Sequence, residues 1–321
     1  MKKRVIVLML ILTLTLGVVM SGVVSGSAGA AEKKVVLGLT LEHLGNPFYA
    51  TLRKAAEEQA KKTGVEIITL GVRYSTDIES QVRLLEDFIA RGVDVVGYAA
   101  VDSDAIIPAL KKVKAAGVPI ISVDTKANWD GDETYISTDN YLGGYYGGMW
   151  LAEAIGKKGK IGMVEGTPSY VNILRKKGFV EALKLYPDVE IRVILAANWR
   201  RDLGLKVTED MITGFPDLQG IFFLNDEMAM GGIQALRTGD RDDVITLGYN
   251  GSPDAIEAVY QGKLGADVVQ YPERMGRLFV IKALEVLEGK KLPEYINSGV
   301  GVVDTDELQK SYAVITGEFM K

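Results

Sequence analysis

Amide, carboxylate and aromatic residues recur in this 321-residue chain at one kind of place, just past a short apolar run. Glu42, His43 and Asn46 follow the first run, Tyr98 ends the third, and Asp124 with Thr125 follows the fourth. Later runs lead to Asn172, Trp199, Asn225, Asn250 and Gln270. Asn, Gln and Asp suit a hydroxyl, which donates and accepts at once, while the C–H faces of a polyhydroxylated ring pack on aromatic side chains. Phe48 and Trp199 are placed to clamp opposite faces of such a ring. No nucleophile stands beside a base. With one histidine, His43, and no cysteine, thiolate metal sites, cysteine nucleophiles and disulfides are excluded, and little is left for a histidine metal site or a Ser-His-Asp relay. Each candidate also has a plainer reading: Asn46 and Asn225 as helix caps, Phe48 and Trp199 as core, Asp124 and Asn250 as turn residues.

The elements that must position these residues are legible as alternation. Residues 35–40, 65–70, 93–98 and 118–123 are apolar runs of strand length. Between them 47–63, 76–91 and 102–116 carry apolar residues at helical spacing, as Leu84, Leu85, Phe88 and Ile89 show. Continuous apolar strands separated by amphipathic helices are what a parallel sheet covered on both faces requires. In such open sheets, ligands bind beyond the carboxyl ends of the strands. Asn46 before Pro47 predicts a helix cap with proline in the first turn, and Gly64, Gly92 and Gly117 predict left-handed helix ends.

The pattern then restarts. Strands are expected over 160–164, 189–195, 219–224 and 244–249, with helices near 172–186, 201–213 and 226–237. A strand over 266–269, a helix over 272–288 and a strand near 300–303 follow. Leu52-Arg53-Lys54 and Leu174-Arg175-Lys176, Val65-Glu66-Ile67 and Val189-Glu190-Ile191, and Asp124 and Asn250 recur in order at nearly constant offset, as two lobes of common plan would give. Gly143-Gly144-Tyr145-Tyr146-Gly147-Gly148 lacks the order of a dinucleotide loop and reads as a helix face that lets chain segments approach closely.

Residues 1–30 read as an export signal: Lys2, Lys3 and Arg4, an apolar stretch over 5–19, and Ala28-Gly29-Ala30 as a cleavage site. Those three cations are the only charges in the segment, so its removal makes a chain of net charge −5 more acidic still. An acidic exported protein is a poor partner for nucleic acid.

Six stretches resemble the type I periplasmic sugar-binding proteins, the ribose-binding-protein-like solute receptors of ABC importers. They are Asn46-Pro47-Phe48-Tyr49, Val101-Asp102-Ser103-Asp104-Ala105, Pro119-Ile120-Ile121-Ser122-Val123-Asp124, Ser137-Thr138-Asp139-Asn140-Tyr141-Leu142-Gly143-Gly144, Asn225-Asp226-Glu227-Met228-Ala229 and Gly248-Tyr249-Asn250-Gly251-Ser252-Pro253-Asp254. The resemblance implies an α/β fold of two similar Rossmann-like open parallel-sheet lobes joined by a three-strand hinge near Thr138, Gln270 and Asn297. The N-terminal lobe would be 34–138 plus 271–297, and the C-terminal lobe 139–270 plus 298–321. It implies ligand contacts from Asn46, Phe48, Tyr49, Asp124, Trp199, Asn225 and Gln270, and from Asn250 where ribose binders carry aspartate. Glu42, His43, Tyr98, Asn172 and Arg175 are secondary candidates.

Ala99 replaces an asparagine and Thr125 an arginine, and 171–174 lack the expected ligand arginine. Arg175 keeps the R-x-x-G-F pattern with Gly178-Phe179. These departures point away from ribose, toward another monosaccharide, a deoxy sugar or a polyol. The expected function is a periplasmic receptor, monomeric and without cofactor or metal, that closes on its ligand and delivers it to an ABC permease. The alternatives are a closed form that docks on a chemoreceptor or sensor kinase, and an enzyme using Glu42, Asp124 or Glu227 as acid or base.

Overall fold

Apolar strands and amphipathic helices alternate along residues 34–304, the part of the chain that the computed structural model describes. The expected export signal and the far end of the C-terminal lobe lie outside them. The first half runs β1 (Val36–Leu41), α1 (Pro47–Thr63), β2 (Glu66–Gly71), α2 (Ile78–Arg91), β3 (Val95–Tyr98), α3 (Ile107–Ala115), β4 (Ile120–Val123) and β5 (Thr134–Ser137). The second runs α4 (Asn140–Ala154), β6 (Gly159–Glu165), α5 (Tyr170–Leu183), β7 (Val189–Ala196), α6 (Arg201–Gly214), β8 (Leu218–Phe223), α7 (Asp226–Thr238), β9 (Ile245–Asn250), α8 (Pro253–Tyr260) and β10 (Ala266–Val269). The chain closes with α9 (Pro272–Leu287), β11 (Tyr295–Asn297) and β12 (Gly301–Asp304).

Two six-stranded sheets result, ordered β2-β1-β3-β4-β5-β11 and β7-β6-β8-β9-β10-β12. Strand for strand the two orders coincide, which is the common plan expected from the repeat. All first-sheet pairings are parallel, and the second differs only in its antiparallel edge strand β12. In the first lobe, Leu37, Leu39 and Ile121 pack with α1 and α9 on one face, and Val96, Tyr98 and Ile120 with α2 and α3 on the other. The second lobe has its own cluster around Phe179, Phe222, Met163 and Leu247. Buried aliphatic and aromatic area of this kind is the main force holding each lobe together.

Helix α1 spans the residues expected, with Asn46 Oδ1 accepting from the Phe48 amide at 3.0 Å. Gly64, Gly92 and Gly117 take φ of 75°, 65° and 78°. The helix expected over 102–116 starts only at Ile107, because Asp102 Oδ1 accepts from the amides of Asp104 and Ala105 at 2.9 and 2.8 Å and holds a turn there. Gly144 and Gly148 of α4 face α5, where a Cβ on Gly144 would overlap the carbonyl oxygen of Arg175, while Gly143 and Gly147 face Tyr249, Leu247 and Val268 of the second sheet.

Chain crossings lie between β5 and α4, between β10 and α9, and between β11 and β12. The first and third are tied together. The Ser298 amide donates to Ser137 O at 2.8 Å, and the hydroxyls of Thr138 and Ser298 lie 3.3 Å apart. Arg274 Nη1, on α9, donates to Ser298 O at 2.8 Å.

Candidate functional site

Between the carboxyl ends of the two sheets lies a space of about 310 Å³, lined by Glu42, Asn46, Phe48, Tyr49, Asp124, Val171, Arg175, Trp199, Asn225, Asn250 and Gln270. All eight primary candidates border it, four from the first lobe and four from the second lobe and its hinge edge.

Three of them sit on unusual backbone. Asp124 has φ 65°, Trp199 φ 63° and Asn250 φ 140°. Asp and Asn tolerate this region and a bulky residue does not, so such conformations persist only where neighbours impose them. For Asp124 they do. Its carbonyl accepts from Tyr135 Oη at 2.6 Å and Ser137 Oγ at 2.8 Å, and its amide donates to Ile136 O at 2.8 Å. The carboxylate is thereby aimed: Oδ2 accepts from Tyr49 Oη at 2.8 Å and Thr125 Oγ1 at 3.0 Å, while buried Oδ1 has no partner in the protein. Burial raises the pKa of Asp124, and the Arg175 guanidinium, Tyr49 and Thr125 oppose the rise.

On the other lobe, the Trp199 indole is fixed by donation from Nε1 to Thr167 Oγ1 at 2.8 Å, and its ring lies where a Cβ on Gly166 would be. Asn225 caps α7 through Oδ1, which accepts from the Met228 amide at 2.9 Å, and borders the cavity as well. Its two readings, cap and wall, are compatible. Asn46 does the same on α1. Gln270 Nε2 donates to Asn250 Oδ1 at 2.7 Å, leaving the buried Gln270 Oε1 unpartnered. A buried acceptor without a partner carries a desolvation cost, so Asp124 Oδ1 and Gln270 Oε1 mark where donors from a ligand are wanted.

Arg175 changes the picture drawn from sequence. Arg175, a secondary candidate, borders the cavity one residue past the segment 171–174 that lacks the family's arginine. Its guanidinium lies 3.9 Å over the Tyr249 ring, Nε donates to Asn140 Oδ1 at 2.8 Å and Nη1 to Leu224 O at 2.6 Å. Glu42, from the loop after β1, is 3% exposed, and its pKa is raised to about 8, first by burial and then by the charge of Asp124.

Three secondary candidates lie elsewhere. Tyr98 is buried in the first lobe, donating to Asp132 Oδ2 at 2.9 Å and accepting from Ala127 N and Trp129 Nε1. It braces a loop. Asn172 Oδ1 accepts from the Gly166 amide at 2.9 Å and so orders the turn beneath Trp199. His43 stands at the cleft rim with Tyr74, Arg200 and Glu227. Burial lowers its pKa against the pull of Glu227. Among the described residues, no group of three or more His, Cys, Asp and Glu is placed to hold a metal ion, and no helix is long and apolar enough to cross a membrane.

Two lobes of one plan, hinged by crossing strands and facing each other across a polar cavity, define a hinge-bending binding protein. Residues 37–291 match the sequence model of the periplasmic binding protein domain. The chain is 33% identical over 269 residues to the ribose import binding protein of Bacillus subtilis, covering 83% of this chain and 86% of that one. A periplasmic solute binding protein of Actinobacillus succinogenes, solved with bound D-allose, superposes with a TM-score of 0.81 at 34% identity, over 86% of this chain and 99% of the other. A solute binding protein of Mycobacterium smegmatis with bound glycerol gives 0.82 at 28% identity, over 87% and 99%. The chain belongs to the type I periplasmic sugar-binding proteins.

Proposed function

We propose that this protein is an extracytoplasmic solute receptor that binds a neutral monosaccharide or polyol between its lobes and delivers it to an ABC permease. The observation that carries this reading is the pair of unpartnered buried acceptors, Asp124 Oδ1 and Gln270 Oε1, bordering a cavity that also holds Phe48 and Trp199. Acceptors want hydroxyl donors, and aromatic rings want C–H faces; a polyhydroxylated ring offers both. Donors come from Arg175 and from the amide groups of Asn46 and Asn225, whose caps use their oxygens, Asn225 Nδ2 also donating to Trp199 O at 3.4 Å.

Contacts drawn from both lobes at once favour the closed state by the free energy they add to it alone. The closed surface, shared by both lobes, is what a permease would read. One relative named a ribose import binding protein, and an ABC transporter periplasmic solute binding protein solved with D-allose, support import over catalysis or sensory docking. A monomer suffices, because one chain supplies every residue of the wall.

A thermal-shift screen against pentoses, hexoses, deoxy sugars and polyols tests the reading. A ligand at 100 times its Kd adds about 2.7 kcal/mol to stability, so at least one compound should raise Tm by several degrees. No shift from any uncharged sugar or polyol, with a clear shift from an amino acid or sugar phosphate, would refute the neutral-ligand assignment.

A further inference from the structure

Glu42 is a buried carboxyl of the cavity wall, which it shares with Asp124 and Arg175. In the wall it adjoins Tyr49 of α1, Asp124 after β4 and Arg175 of α5, and the hydroxyls of Ser75 and Thr125, from two loops, bond to it. The titratable or charged groups among these are Tyr49, Asp124 and Arg175. Two carboxyls thus share one guanidinium. Asp124 takes hydroxyl donors from Tyr49 and Thr125 on one oxygen. Glu42 has hydroxyl partners too, in Ser75 and Thr125, but the charge of Arg175 is the first influence opposing burial at Asp124 and the last at Glu42, which favours Asp124 as the ionised partner. Glu42 faces that carboxylate from a site almost without solvent.

We propose that Glu42 meets the ligand as an uncharged carboxylic acid, donating its proton to a ligand oxygen, and that this makes it a specificity-determining residue for an electrically neutral ligand. The proposal rests on the receptor reading above and deepens it. With Glu42 neutral, the carboxylate of Asp124 and the guanidinium of Arg175 balance, so neither a cationic amino sugar nor an anionic sugar acid finds a counter-charge. Burial and the neighbouring carboxylate, which raise the Glu42 pKa to about 8, keep the proton in place at neutral pH. Two carboxyls that share a site almost without solvent do not both ionise readily, and such pairs commonly divide into one proton donor and one acceptor. Above pH 8 Glu42 must recover that proton before the ligand binds, so affinity falls as pH rises.

The test has two arms on the whole protein. The first needs no ligand: the Glu42 side-chain carboxyl is followed by ¹³C NMR from pH 5 to pH 9 and assigned by its loss in Glu42→Gln. A midpoint near pH 8 is expected, and one at or below about pH 6 overturns the proposal. The second arm is calorimetry with D-allose, D-ribose, myo-inositol and glycerol between pH 6 and pH 9, with D-glucosamine against D-glucose as the charged comparison. For whichever neutral probe binds, affinity should drop about tenfold from pH 7 to pH 9. Glu42→Gln, which keeps a donor, should lose about two- to fivefold, and Glu42→Met, of similar size without one, at least about tenfold, both with flat pH profiles. Equal losses in the two variants, or tighter binding of D-glucosamine than of D-glucose, overturn the proposal. If no neutral probe binds while the NMR midpoint holds near pH 8, the receptor reading fails and the protonation of Glu42 stands.

Discussion

Trp199 and Asp267 mark two ways in which single residues serve the cleft. The Trp199 ring borders the cavity at 6% exposure, on backbone that only its surroundings make tolerable. Trp199→Ala should weaken sugar binding at least about tenfold, about 1.4 kcal/mol, by calorimetry on the folded variant; unchanged affinity would remove the ring from the clamp. Asp267 never touches the cavity. It is buried against Asp226, whose two oxygens accept from the amides of Tyr249 and Ser252 at 2.9 and 2.7 Å and so hold the turn that carries Asn250. Burial, then the charge on Asp226, holds the Asp267 pKa well above 3.8. A carboxyl raised in the folded state contributes stability in full below its unfolded pKa and loses it as pH rises through the folded one. Asp267→Asn needs no proton, so it should unfold at higher denaturant than the parent at pH 8, by about 1–2 kcal/mol, with the gap closing toward pH 4. Equal destabilisation at both pH values would mean that the proton is not shared. The types of the wall residues were legible because the positions after strands are few. Tyr98 and Asn172 occupy such positions too and turn inward to brace loops, a difference of side-chain direction that spacing does not encode. Nor does spacing reveal the positive φ of Asp124 and Trp199.

Helices α4 and α5 are the elements on which the second lobe's share of the site depends. Arg175 stands on α5, its guanidinium tied to Asn140 at the start of α4, and Asn140 Nδ2 donates to Thr138 O at 3.1 Å within the hinge. Site and hinge therefore meet in one side chain. Gly144→Ala would force the helices apart, because the new methyl group meets the backbone of Arg175 rather than a movable side chain. A loss of about 2–3 kcal/mol in chemical denaturation is expected, with weaker ligand binding as Arg175 shifts; a variant of parental stability would show that the helices yield. Asn140→Ala should spare more of the fold and still cost about fivefold in affinity, since Arg175 loses its anchor while Leu224 O keeps part of it. Sequence showed the glycine face and the long alternation, and placed α1 and β10 to the residue. It did not show β5, β11 or α8. The first two are strands of four and three residues that owe their existence to the sheet edge they extend, and α8 has eight residues opened by Pro253. Elements so short are fixed by tertiary contact more than by their own pattern.

At the scale of the molecule, closure is held by contacts that need both lobes. The Tyr170 amide donates to Ser103 Oγ at 3.0 Å, and Lys126 Nζ of the first lobe lies 5.0 Å from the ring of Tyr170. On the other rim the Arg200 guanidinium lies 5.2 Å over the Tyr74 ring. None of these residues borders the ligand space. Each adds free energy to the closed state and none to an open one, so each raises apparent affinity by raising the fraction of molecules able to hold a ligand. Ser103→Ala removes one neutral hydrogen bond between lobes, worth about 0.5–1.5 kcal/mol, together with the donation of Oγ to Lys126 O at 2.9 Å, which lies within the first lobe and so is the same in both states. It should therefore weaken binding about two- to tenfold while the wall of the cavity stays as it was. The chain has no cysteine, so a single cysteine introduced on each lobe can carry a label for distance measurement without background. In the parent, ligand should shorten the label distance. In Ser103→Ala the saturated distance should match the parent's and only the ligand concentration needed to reach it should rise. A variant whose saturated distance stays long would mean that this bond shapes the closed state rather than weighting it, and parental affinity would mean that the rims merely touch.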